Sequence, residues 1–276
     1  MRNLAKLGFV AYVAAIVGLS SALPCVGDDV AQTGRAAVEK WQAAIVTIRI
    51  SAKTTTSYEG QEGGTRESKS EITGVIIDSS GLVAASLSAT NPEEAFQDMM
   101  GGGSEGSFKY SSELTDVKML LPDGQELPAS VVLRDKDLDL AFFRPKTKLD
   151  KPAASVDLTK AAKPALLDQV VVLHRLGTVA SRAIAACVDR VQAVVDKPRT
   201  YYVPGAESMN ASAGAAVFST DASPIGLLLV RSRPQSAGQD YNWFGGMSGT
   251  GLTYIIIPAA DIAEAAKQAP ETAEAK

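Results

Sequence analysis

The chain of 276 residues holds a single histidine, His174, and only two cysteines, Cys25 and Cys187. One histidine excludes metal centres that need several imidazoles, and it leaves any reaction requiring a histidine base to depend on His174 alone. Two cysteines exclude a disulfide framework or a four-thiolate zinc site. There is no excess of base: the net charge is −4, which speaks against nucleic acid as a partner because phosphate binding needs a basic face. No Gly-x-x-x-x-Gly-Lys-Ser/Thr loop occurs, and Gly101-Gly102-Gly103 lacks the lysine and helix that would cradle a phosphate. The alternating acids Asp135, Asp137 and Asp139 lack the longer ligand set of a calcium loop. No metal and no cofactor is therefore expected.

What is present describes an ordinary folded protein, with 46% hydrophobic and 21% charged residues. Residues 1–22 read as a secretory signal: Arg2 and Lys6 precede an apolar run from Leu7 to Leu19, and Ser20-Ser21-Ala22 offers small residues for cleavage. The alternative is an uncleaved anchor, although the run is short for a span of ~20 residues. An exported location is expected (periplasm, envelope or outside the cell), with membrane contact only if the segment stays attached. Pro24 before Cys25 argues against lipidation. Export permits a Cys25–Cys187 bond, and the sequence leaves open whether both thiols stay unpaired.

Residues 23–35 read as an N-terminal linker, and residues 31–43 as a short helix that runs from this linker into the first strand region. Six strand signals lie between 36 and 150: Ile45–Ile50, Gly74–Asp78, Leu82–Ala85, Val117–Leu121, Ala129–Leu133 and Leu138–Phe143. The polar stretch 52–71 reads as a mobile loop, and 91–114 as a partly helical start and then a flexible excursion. Residues 151–165, rich in Lys, Pro and Ala, read as a linker. A second series occupies 166–265, with strands at Gln169–Leu173, Ala183–Arg190, Val191–Val195, Ala215–Phe218, Ile225–Val230 and Tyr254–Ile257. A helical start from Asp261 and a flexible tail at 266–276 complete the chain. Two series of short strands predict an all-β protein of two barrels.

Six segments, in order, resemble trypsin-like serine proteases of the HtrA/DegP type. They are Gly74–Val83, Pro122–Ala129, Arg134–Phe142, Asn210–Ala215, Ser223–Leu227 and Tyr254–Pro258. The resemblance implies two six-stranded barrels with short N- and C-terminal helices, and an active site in the cleft between the barrels. No PDZ domain is expected after them. It places the catalytic aspartate at Asp139, the serine at Ser212, and the histidine position, seven residues after Gly81, at Ser88. It implies oxyanion donors at Asn210 and Ser212.

Catalysis of this kind needs an imidazole to take the serine proton, an aspartate to orient it and N–H groups for the oxyanion. Ser88 cannot be that base. Asn210, Ala211 and Ala213 also stand where the family has Gly, Asn and Gly, and alanine does not tolerate a left-handed backbone. His174 lies in the second half, whereas the base should come from the first, so the sequence disfavours it as a substitute. Ser212 could be no more than a loop serine, and Asp139 a turn or cluster residue. The expected function is an exported, inactive protease homologue that binds protein or peptide. The alternatives are an active serine endopeptidase with a non-standard base and a structural envelope protein.

Overall fold

The computed structural model describes residues 29–58, 61–92, 108–232 and 252–272. The expected signal segment at 1–22, Cys25 and Gly101–Gly103 lie outside the described residues. The chain divides into two compact units between Gln32 and Thr33, and all strands belong to the second unit.

Helix α1 spans Asp29–Trp41. Six antiparallel strands come next: β1 (Ile45–Tyr58), β2 (Gln61–Ile76), β3 (Val83–Ser86), β4 (Phe108–Leu120), β5 (Glu126–Asp135) and β6 (Leu140–Pro145). They close into a barrel in the order β1-β2-β3-β6-β5-β4. A second set comprises β7 (Gln169–Arg175), β8 (Ile184–Val195), β9 (Tyr201–Pro204), β10 (Ala216–Ser219), β11 (Pro224–Ser232) and β12 (Leu252–Pro258). It closes in the order β10-β11-β12-β9-β8-β7. Helix α2 (Ala259–Ala266) comes after β12 and buries Ala259, Ile262 and Ala265. Two closed six-stranded antiparallel barrels with a short helix toward each end fit a chymotrypsin-like fold.

Closure leaves each strand with one face inside its barrel, and several strands bury the other face as well. In β7, Val170 and Val172 join the core inside the second barrel, while Val171 and Leu173 join the larger core that runs on from the first. This is the period of two expected of a strand buried on both sides, and it explains the unbroken apolar run Val170–Leu173. Trp41, at the end of α1, stacks on Phe218 of β10 with ring centroids 5.6 Å apart, and its Nε1–H donates to the Ala222 carbonyl at 2.8 Å. Arg175, at the end of β7, donates to the carbonyls of Ile45 (2.8 Å) and Gln42 (2.7 Å), at the start of β1 and just before it. The barrels are thereby joined by polar as well as apolar contacts.

Four local readings need correction. Residues 52–71 are not a loop but the outer part of the β1–β2 hairpin, paired from Ile45↔Val75 to Tyr58↔Gln61. Thr and Ser dominate there, and hydroxyl pairs such as Thr55–Thr65 across the ladder support strands that bury little. The final part of the supposed excursion, from Phe108, is the start of β4, which pairs along β1 out to Tyr58. The strand signals at Ala183–Arg190 and Val191–Val195 are one strand, β8. The sixth strand of the second barrel is instead β9, Tyr201–Pro204, whose pairing with β12 rests on Tyr202↔Ile256 alone.

Candidate functional site

The first barrel contributes Ser88 and Asp139. Ser88 opens a 3-10 turn, Ser88–Thr90, shortly after β3. Asp139 sits in the tight turn before β6 with φ of 59°, a left-handed conformation that Asp tolerates better than most residues. Its carboxylate is enclosed by donors: Oδ1 accepts the Ser88 N–H at 2.7 Å, and Oδ2 accepts the Ser86 hydroxyl at 2.9 Å and the Ser88 hydroxyl at 3.0 Å. The two hydroxyls are themselves 3.0 Å apart. Burial pushes the Asp139 pKa up, although the Ser88 N–H, the two hydroxyls and the charge of Arg231 all pull it down. Desolvation outweighs the donors here. Asp137, by contrast, is exposed, and the half-buried Asp135 accepts the Leu138 N–H at 2.9 Å; among the described residues no cluster of three or more His, Cys, Asp or Glu could hold a metal ion.

The second barrel contributes Ser212 and His174. Ser212 comes just after a 3-10 turn, Glu207–Asn210, that is tied down by Asp189 on β8. Asp189 Oδ2 accepts the N–H (2.8 Å) and the hydroxyl (2.7 Å) of the fully buried Ser208. The Ser212 hydroxyl lies 3.2 Å from His174 Nδ1, and the Ser212 N–H points to the same nitrogen at 3.5 Å. An N–H donor requires Nδ1 to be an acceptor, which assigns the neutral imidazole with its proton on Nε2. Burial agrees, because it pushes the His174 pKa down.

Thr73 of β2 completes this cluster from the first barrel. Its hydroxyl is 2.8 Å from Ser212 Oγ and accepts the Arg175 N–H at 3.1 Å. Either hydroxyl can be the donor between Thr73 and Ser212: a chain from Arg175 N–H to Thr73, Thr73 O–H to Ser212 and Ser212 O–H to His174 fits these distances, and the Arg175 carbonyl, 3.4 Å from the Thr73 hydroxyl, is a second acceptor for it. Thr73 carries no mark in the sequence beyond its place one residue before Gly74, so sequence reasoning did not single it out. His174, expected to be too far from the site as a residue of the second barrel, is the penultimate residue of β7 and meets the serine there.

The three residues that the resemblance names therefore fall into two separate hydrogen-bonded clusters. Asp139 and Ser88 are bonded to each other, and among the described residues no hydrogen bond joins Ser88 to Ser212. The glycine requirement of the nucleophile loop also falls elsewhere than expected. Neither Asn210 nor Ala213 has positive φ; Gly214 does, at 88°, and a Cβ there would meet the Thr73 carbonyl oxygen at 2.6 Å. Ala213 is accommodated because the left-handed residue is its neighbour. Of the two expected oxyanion donors, the Ser212 N–H is engaged by His174, and Asn210 is an exposed residue at the end of its 3-10 turn.

Comparison with known proteins finds no matching family model and no matching curated protein. The two barrels and the positions of Ser88, Asp139 and Ser212 in them carry the functional argument. Cys187 adds no reactive group to it. Its thiol, free and half-buried on β8, is pushed up to about 11 by burial and by the nearby Asp189 and Glu207, so it stays protonated at neutral pH.

Proposed function

We propose that this chain is an exported homologue of the trypsin-like serine proteases of the HtrA/DegP type, that it does not cleave peptide bonds, and that it binds an extended polypeptide at its inter-barrel cleft. The observation that carries this reading is the double engagement of Ser212 by His174. A productive serine needs its hydroxyl proton taken by a base that is oriented by a carboxylate, and its N–H directed at the oxyanion. Here the carboxylate is satisfied by two serines and a backbone N–H, and the serine N–H is spent on the imidazole. Loss of the base alone costs on the order of 10⁶ in kcat in a comparable triad.

A second reading has one observation in its favour. His174 Nδ1 stands 3.2 Å from the Ser212 hydroxyl, within reach of a general base, and is neutral. A Ser212–His174 pair would then be a serine endopeptidase with an unusual base, although among the described residues no carboxylate is hydrogen-bonded to His174; the ring's other partner is the Arg175 backbone. A fluorophosphonate probe separates the two. Under the first reading the full chain labels no faster than Ser212→Ala. Labelling that requires both Ser212 and His174 would establish the second reading instead.

A further inference from the structure

The first barrel is closed by β4 and β5, but the seam between them is short. Only Lys118↔Pro128, Met119↔Leu127 and Leu120↔Glu126 are paired. Before Lys118, β4 pairs with β1 alone, and after Pro128, β5 pairs with β6 alone. Each strand also carries an extra residue in this stretch. The β1–β4 register shifts at Thr115, and the β5–β6 register shifts at Val132. Bulges bend a strand and increase its twist, and two of them on opposite sides of one seam account for the splaying. The result is a groove of about 690 Å³ between the two strand edges, bordered as well by Pro270 and Thr272 of the C-terminal segment, which Arg144 Nε–H holds through the Pro270 carbonyl at 2.6 Å.

The groove has the composition of a strand-binding site. Its apolar lining comes from half-buried or buried residues of both strands, among them Leu114, Val117, Val131 and Leu133. Its charges are Asp116 on the β4 side and Arg134 and Lys146 on the other. All three are exposed, and among the described residues none takes part in an ion pair. The basic side therefore outweighs the acidic one by one charge, in a protein whose net charge is −4.

We propose that this fork binds an extended acidic peptide segment of a partner protein by strand addition. The peptide main chain would pair with the unladdered edges of β4 and β5. Alternate apolar side chains would enter the lining, and acidic ones would face Arg134 and Lys146. Strand addition draws affinity from main-chain hydrogen bonds and specificity from the pockets and charges along them. This site is separate from Ser212 and does not depend on the reading of the cleft.

The test uses the full chain and a fluorescein-labelled peptide, Thr-Val-Asp-Val-Asp-Val-Thr, with fluorescence anisotropy as the readout. Two comparison peptides carry lysine for both aspartates, or N-methyl groups on alternate amides of the acidic sequence. The acidic peptide is expected to bind about tenfold or more tighter than the lysine peptide, and N-methylation is expected to remove saturable binding. The double variant Arg134→Glu, Lys146→Glu should reverse the preference, and Ser212→Ala should leave it unchanged. Hydrogen exchange should slow at 111–117 and 129–135 when the peptide is bound. Absence of saturable binding, equal binding of the acidic and lysine peptides, or insensitivity to N-methylation would overturn the proposal. So would binding lost in Ser212→Ala and kept in the charge-reversal variant, which would place the peptide at the cleft.

Discussion

The two polar clusters of the candidate site differ in what they lack. Among the described residues, Asp139 on the first barrel has three donors and no imidazole to orient; Ser212 on the second has an imidazole and no carboxylate behind it. Each cluster is locally satisfied: the Asp139 carboxylate has its donors and the Ser212 hydroxyl has its partners. A missing histidine in a catalytic site would leave a buried carboxylate exposed to its own desolvation cost. Here Ser86 and Ser88 offset part of that cost from within the first barrel, and Thr73 and His174 hold the serine from β2 and β7. On the proposed reading, two satisfied networks stand where the resemblance implies one that spans the cleft.

The largest change should come from joining the halves. Ser88→His restores an imidazole beside Asp139, and His174→Ala frees the Ser212 N–H and hydroxyl. The double variant is expected to label with a fluorophosphonate on the order of 10²-fold faster than either single variant, the lower end of what a positioned base contributes. Equal labelling in all three would mean that the two clusters do not form parts of one site. Gly214→Ala comes next. Its Cβ would press on the Thr73 carbonyl from a left-handed backbone, so urea denaturation should show a loss of about 2–4 kcal/mol.

Thr73→Val keeps the shape of a buried side chain but removes the hydroxyl that links Arg175 N–H to Ser212. A loss of about 1–3 kcal/mol is expected by the same assay, with Thr73→Ser closer to the parent. A null result would detach Thr73 from the second cluster. The smallest effect is one of pH. Since burial holds the His174 pKa below its ordinary value, the unfolded chain takes up a proton before the folded one does as pH falls. Stability should therefore decline as pH falls from neutral through the ordinary histidine range. His174→Gln should flatten that part of the profile, measured as the urea midpoint at a series of pH values. An unchanged slope would mean that His174 is not the group responsible.

Most of the architecture was legible in the residues. Ile45–Ile50, Gly74–Ile76, Val83–Ala85 and Leu140–Phe143 are largely apolar runs suited to buried strands, and they lie in β1, β2, β3 and β6. The errors fell where strand formation does not depend on burial. The ribbon at 52–71 is Thr-, Ser- and charge-rich, and its hairpin is held by ladder bonds and hydroxyl pairs that composition does not reveal. The short strand β9 is ladder-paired with β12 only at Tyr202 and is placed mainly by its pairing with β8, so its local sequence carries little of its placement. The candidate site was legible in the same uneven way. Ser88, Asp139 and Ser212 can be located by their place in an ordered series of segments. Thr73 cannot, because its partners Ser212 and Arg175 lie 139 and 102 residues away.

Composition, periodicity and motif order by themselves determine that this is an all-β chain of two strand series, and that its only histidine is absent from the first. Both rest on side-chain chemistry that a residue carries wherever it sits. The position of that histidine relative to the serine is a different matter. His174 reaches Ser212 because β7 pairs with β10 and β8 as the second barrel closes, and because Gly214 lets the loop fold against Thr73. These are long-range contacts of the closed barrels. Only the tertiary structure decides that the lone imidazole engages the serine through both its hydroxyl and its N–H.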